Sequence, residues 1–274
     1  MNQEFKQPPV ALVTGASAGF GLATARKLAT RGFRVFGTSR SGAAGAPGVE
    51  MLALDVDTDV SVRECTAELL RRAGRLDVVV NNAGRAMLGA CEETSADEAR
   101  ALFETNVFGT MRFVSAVLPT LRGQRRGAIV NVGSISGFMG VPFHGVYAAS
   151  KHALAGYTEA LRLEVEVFGV SVSLVEPAAH RTGIQMTRPR APLAPYDVGR
   201  ERVAAIIRAQ IEGGDSPERV VEAIVRAATS SAPRLRYRVG RKAGVAAWAR
   251  RWLPEAALAY VMRREFQLPE RSHG

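Results

Sequence analysis

Along this chain, short runs of consecutive apolar residues alternate with longer stretches in which apolar side chains recur every three or four positions. The runs predict strands over 9–14, 33–38, 49–54, 76–81, 127–133, 170–175 and 234–239. Val10-Ala11-Leu12-Val13 and Val78-Val79-Val80 are apolar at successive positions instead of alternating, and a strand with no polar face is covered on both sides. The periodic stretches predict helices over 19–31, 58–73, 95–122, 146–168, 200–212 and 217–229. Doubly covered strands alternating with helices imply an α/β chain, with helices on both faces of a mostly parallel sheet of about seven strands.

Local signals agree with these boundaries. Ser95 with Glu98 makes a capping box. Ser216 followed by Pro217 offers a cap and then a first-turn proline. Gly32 stands where the first helix should stop. No composition shift and no internal repeat divides the chain, so residues 1–274 are expected to form a single doubly wound Rossmann-type domain. The stretch 183–200 is rich in Pro, Arg and Gly and has no period. Together with the helix after it, to about 215, it is expected to form a substrate lid. A C-terminal extension over 241–274 carries Trp248, Trp252, Leu253, Leu258, Tyr260 and Val261 among Arg250, Arg251, Arg263 and Arg264. That mixture suits an amphipathic element on a membrane surface. It suits equally a cover for the core, a closure for a pocket, or a subunit contact.

Composition removes several classes. Hydrophobic residues make up 47% and charged residues 23%, ordinary for a globular protein with a sizeable core. Two cysteines, Cys65 and Cys91, are too few for a disulfide framework, and the four histidines lack ligand spacing, so no metal is expected. The formal charge is +10, but the basic residues are scattered and no nucleic-acid module appears. An anionic ligand and a solvated basic surface fit better than nucleic acid. The N-terminal stretch lacks the order of a signal peptide, and no run reaches the ~18 apolar residues of a membrane span. The expected location is cytoplasmic.

The first strand runs into Gly15-Ala16-Ser17-Ala18-Gly19. This satisfies G-x-S-x-G, the elbow that displays a nucleophilic serine. The same glycines suit a phosphate cradle at a helix N-terminus. An elbow normally follows several strands, with an oxyanion donor from an earlier loop, and only 14 residues precede Gly15. The cradle is the better reading. The second strand ends in Thr38, Ser39 and Arg40 with no acidic residue. An acid there would bind a ribose diol and repel a 2′-phosphate, whereas a guanidinium pairs with phosphate oxygens. Arg40 therefore predicts NADP(H) over NAD(H).

The spacing from Thr14 to Gly21, T-G-x-x-x-G-x-G, resembles the cofactor loop of the short-chain dehydrogenase/reductase family. Further motifs extend the resemblance over about residues 8–182. Asn81-Asn82-Ala83-Gly84 matches the N-N-A-G beside adenine and ribose, and Asp55-Val56 matches the pair that meets the adenine. Asn106, an unfavourable residue inside a helical pattern, matches the asparagine that anchors a water in a proton relay. Ser134, and Tyr147 with Lys151 four residues on, match the family's serine and Y-x-x-x-K. Pro177 and Thr182 match a P-G-x-x-x-T segment that holds the nicotinamide carboxamide, although Ala178 replaces its glycine. If that backbone were left-handed, alanine would cost ~1 kcal/mol or more. The general arrangement resembles the steroid- and retinoid-oriented branch.

The resemblance implies a catalytic set of Asn106, Ser134, Tyr147 and Lys151. It implies a cofactor set of Gly15, Ser17, Gly19, Phe20, Gly21, Ser39, Arg40, Asp55, Val56, Asn82, Ala83, Gly84, Tyr147, Lys151, Pro177 and Thr182. Tyr147 would move the proton while hydride passes between nicotinamide and a carbonyl or carbinol carbon. Lowering a phenol from about 10 to about 7 needs ~4 kcal/mol, part of it from Lys151. Arg85, Phe138, Met139, Val141, Phe143 and His144 are the expected pocket walls, apolar enough for a hydrophobic ketone or alcohol. The resemblance also implies a homodimer or homotetramer through the helices of 95–122 and 146–168. The alternative is a non-catalytic NADP(H)-sensing regulator on the same scaffold, against which the complete proton-relay set speaks.

Overall fold

The structure, a computed structural model, describes residues 7–43, 45–180 and 186–269. Seven strands form one parallel sheet: β1 (Val10–Val13), β2 (Arg34–Ser39), β3 (Val49–Ala53), β4 (Val78–Asn81), β6 (Gly127–Val132), β7 (Val170–Pro177) and β9 (Arg236–Val239). Their order is β3-β2-β1-β4-β6-β7-β9, and every pairing is parallel. The order reverses between β1 and β4, so the loops leaving those strands diverge and leave a crevice at the strands' C-terminal ends.

Each face of the sheet has its own core, which is why the central strands carry no polar alternation. Helices α2 (Asp59–Ala73), α4 (Gly109–Gln124) and α5 (Gly145–Val165) cover one face, burying Leu69, Phe113, Leu121 and Leu161 against Leu12, Phe36 and Ile129. Helices α1 (Gly19–Thr30) and α7 (Pro217–Thr229) cover the other, burying Leu28, Val220 and Ile224 against Val13, Val80 and Val130. The predicted caps form. Ser95 Oγ accepts from Glu98 N at 3.3 Å while Glu98 Oε2 accepts from Ser95 N at 3.0 Å. Ser216 Oγ accepts from Glu218 N at 3.4 Å, and Gly32 takes a left-handed φ of +82°.

Two features differ from the sequence reading. The single helix expected over 95–122 is α3 (Ala96–Phe103), a π-helical turn Glu104–Phe108 containing Asn106, and then α4. A widened turn of this kind re-aims side chains and is common at functional sites. The aperiodic stretch before residue 200 contains regular structure among its described residues. β8 (Met186–Thr187) pairs with β5 (Ala86–Met87), and α6 follows at Asp197–Glu212. Beyond β9, the chain continues as α8 (Arg241–Trp252) and α9 (Glu255–Glu265).

Candidate active site

The loop after β1 is shaped for a ligand that approaches backbone. Gly15 and Gly19 have φ of +64° and +56°. A Cβ on Gly21 would stand 2.2 Å from Gly15 O and 2.5 Å from Asn82 Nδ2, so α1 can start this close to the loop only without a side chain there. The loop is braced from below. Asn82 Nδ2 donates to Thr14 O (3.0 Å) and Gly15 O (3.1 Å), and Thr14 Oγ1 accepts from Asn82 N (2.9 Å) and Ala83 N (3.0 Å). Asn82 thus holds the loop's shape with the same amide that lines its floor. Ser17 is exposed and has no hydrogen-bonded base among the described residues, as a phosphate cradle requires and a nucleophile elbow does not.

A cavity of about 600 Å³ runs from this loop across the strand ends. Gly15, Ser17, Gly19, Phe20, Ser39, Arg40, Asp55, Val56, Asn82, Ala83 and Gly84 all line it; Gly21 lies beneath. Arg40 is exposed at its end, with no carboxylate partner among the described residues. A helix start on α1 that no side chain caps, a cradle that a Cβ would fill, and a guanidinium without a carboxylate partner at the far end fit a dinucleotide with an extra phosphate.

The four residues expected to be catalytic lie together beside this cavity. Ser134 ends the loop after β6, where its Oγ accepts from Ser136 N at 3.1 Å, and its hydroxyl is hydrogen-bonded to Tyr147. Tyr147 and Lys151 stand one turn apart on α5, with Lys151 Nζ 5.9 Å from the phenol ring and donating to Val132 O at 3.0 Å. Asn106 is buried; its Nδ2 donates to Arg85 O (3.0 Å) and Ser150 Oγ (3.1 Å), and its Oδ1 accepts from Arg85 N (2.8 Å). Its side chain therefore fixes the loop after β4. Burial pushes the Lys151 ammonium down to about 8. Burial also raises the Tyr147 phenol, only partly offset by the Ser134 bond. In the protein alone the direction is therefore opposite to the lowering expected from the sequence, because desolvation outweighs the contribution of Ser134.

A second cavity, of about 220 Å³, shares Phe20, Asn82, Gly84 and Arg85 with the first and contains Ser134, Tyr147 and Lys151. Of the expected walls, Arg85, Val141 and His144 line it, and Pro177 does too. His144 packs edge-on to Tyr147 with ring centres 5.3 Å apart, and burial pushes its imidazole down to about 4. Phe138, Met139 and Phe143 do not line it. Phe138 lies under the Arg238 guanidinium at 5.4 Å. Phe143, at φ +58°, turns its ring towards Tyr196 and against Gly199. The apolar wall comes instead from Met186, from Ile207 and Ile211 of α6, and from Phe266 just beyond α9. Among the alternatives for the C-terminal extension, closure of a pocket is realised by Phe266. Thr182 lies outside the described residues. Ala178 does not take a left-handed φ. Its N–H donates to Val239 O at 2.9 Å, so the expected strain is absent. Room for its methyl group comes from Gly240 (φ +105°), where a Cβ would stand 3.0 Å away.

The family model for short chain dehydrogenases matches residues 9–192. The 3-ketodihydrosphingosine reductase of Bacteroides thetaiotaomicron is 38% identical, over 94% of this chain and 97% of that protein. The 17-beta-hydroxysteroid dehydrogenase type 1 of Mus musculus is 33% identical, over 84% of this chain and 73% of that protein. Among solved structures, a short chain dehydrogenase from Burkholderia cenocepacia in complex with NADP superposes with a TM-score of 0.73 at 27% identity, covering 93% of this chain and 97% of that one. Glycine loop, sheet order, tyrosine–lysine turn and these likenesses agree: the chain belongs to the short-chain dehydrogenase family, as an oxidoreductase of its steroid- and retinoid-dehydrogenase-like branch.

Proposed function

We propose that the protein is an NADP(H)-dependent carbonyl reductase or alcohol dehydrogenase of hydrophobic ketones and secondary alcohols. The observation that carries this reading is that Ser134, Tyr147 and Lys151 line the smaller cavity, which adjoins the larger one across Phe20, Asn82, Gly84 and Arg85. When bound, the nicotinamide supplies or accepts the hydride. Gly15, Gly19 and Gly21 would admit its diphosphate, and Arg40 would pair with a 2′-phosphate. The NADP in the related Burkholderia structure supports that choice.

The protein's part is orientation and proton transfer. Ser134 Oγ holds the substrate oxygen next to Tyr147 Oη, which donates its proton in reduction and receives one in oxidation. Lys151 Nζ, held by Val132 O, supplies positive charge beside the phenol. Asn106 keeps the loop of Arg85 in place. Val141, Met186, Ile207, Ile211 and Phe266 exclude water and favour an apolar substrate. In Tyr147→Phe, turnover of a ketone panel should fall about a thousandfold, with NADPH affinity retained. Unchanged rates would overturn the assignment. NADPH binding by the wild type with no turnover of any carbonyl would favour the sensing regulator instead.

A further inference from the structure

The outer surface of α8 and α9 has no role in the fold or in the site described above. The chain contains two tryptophans. Both are on α8, Trp248 at 59% and Trp252 at 64% exposure, and Val245 is 68% exposed. Positions 245, 248 and 252 have the three- and four-residue spacing that places them along one stripe of a helix. On α9, Tyr260 and Val261 are exposed too, and none of its residues is buried. Arg250, Arg251, Arg263 and Arg264 occupy the last turns of the two helices. None of the four has a carboxylate partner among the described residues. Arg251 lies over the Trp252 ring at 5.4 Å and Arg264 over the Tyr260 ring at 5.8 Å. Of the two acids on these helices, Glu265 is bonded to Lys242 at 2.6 Å and Gln210 at 2.9 Å.

An apolar patch of this kind on a folded chain marks a contact site. Its chemistry selects the partner. Indole and phenol rings settle at the level of lipid headgroups, apolar body inward and polar edge outward. The guanidinium groups of Arg251 and Arg264, over those rings and with no carboxylate partner among the described residues, attract an anionic leaflet. No helix among the described residues is long and apolar enough to cross a membrane, so the contact is one that lies on the surface. The same segment also reaches the substrate side. Phe266, directly after α9, is a buried wall of the smaller cavity, and Gln210, bonded to Glu265, is another wall residue. We propose that α8 and α9 form a docking surface for anionic lipid bilayers, keeping the apolar end of the substrate cavity next to lipid.

The test uses the full chain and vesicles of phosphatidylglycerol and phosphatidylcholine in equal parts. Because both tryptophans are on α8, tryptophan emission, excited selectively over tyrosine, reports on this surface. The protein should pellet with the mixed vesicles, and its emission should shift to the blue. Both effects should weaken with phosphatidylcholine alone and at high salt. Arg251→Glu with Arg264→Glu should lower vesicle affinity at least about tenfold, leaving turnover of a water-soluble ketone unchanged. A chain that stays in the supernatant with unshifted emission overturns the proposal. So does a double variant that binds vesicles as well as the wild type. Sedimentation velocity showing a self-association that Trp248→Ser abolishes would overturn it as well, by making a second copy of the chain the occupant.

Discussion

The two cavities of this protein share a wall but are built on different principles. The larger is made of backbone. Glycines, a threonine hydroxyl and an asparagine amide set its shape within a few residues of the strand ends, and hydrogen bonds near 3.0 Å lock it. The smaller is made of side chains brought from far apart: Val141 before α5, Met186 in β8, Ile207 and Ile211 in α6, and Phe266 near the chain's end. A surface of main-chain atoms suits a ligand whose recognised part never changes. A wall of interchangeable apolar side chains lets the substrate change while the first surface stays intact.

The contrast is open to test, beginning with the larger cavity. Gly21→Ala should lower NADPH affinity at least about a hundredfold, because the added methyl meets backbone and a braced amide, neither of which is a flexible side chain. Titration of cofactor fluorescence measures it, and wild-type affinity would show that the loop yields. Arg40→Ala should cost about 1.5–3 kcal/mol of NADPH binding, the loss of a charged hydrogen-bond partner, and far less of NADH binding. Equal losses for both cofactors would remove Arg40 from phosphate recognition. On the side-chain wall, Ile211→Ala should lower kcat/KM for a bulky apolar ketone about tenfold while the dissociation constant of NADPH stays put. A change in cofactor affinity would mean that the two cavities are not separable.

The smallest expected effect concerns pH. His144 is held near 4 by burial, whereas an unfolded histidine titrates near 6.5. Between those values the unfolded chain binds more protons, so this group makes the folded state lose stability as pH falls from about 6.5 towards about 4. In His144→Asn, thermal melts should show a shallower fall across that window. An unchanged slope would mean that the ring takes up its proton without leaving its place against Tyr147.

The same division explains what could be read from the sequence. Strand positions were legible because both faces of the sheet are buried, leaving Val10–Val13 and Val78–Val80 as unbroken apolar runs. The loop glycines, Asn106, Ser134, Tyr147 and Lys151 were legible because their chemistry needs fixed residue types at short spacings. The π-helical turn was not, since Glu104–Phe108 keeps an ordinary helical pattern. β5 and β8 are two residues long and carry no period. Phe138, Met139 and Phe143 looked like pocket walls because they make an apolar, aromatic stretch after the strand that ends near Ser134. The backbone turns Phe143 away at a positive φ, and Phe138 packs under Arg238. Ile211 and Phe266 had no local mark at all, because only the tertiary fold brings them to the site.

The position of Phe266 has a practical side. Residues that follow a final helix are commonly treated as dispensable, yet here the first residue after α9 is a buried wall of the smaller cavity. A variant cut after Glu265 loses that wall, so its preference among substrates should differ from that of the longer chain, and substrate profiling belongs on a protein that keeps Phe266.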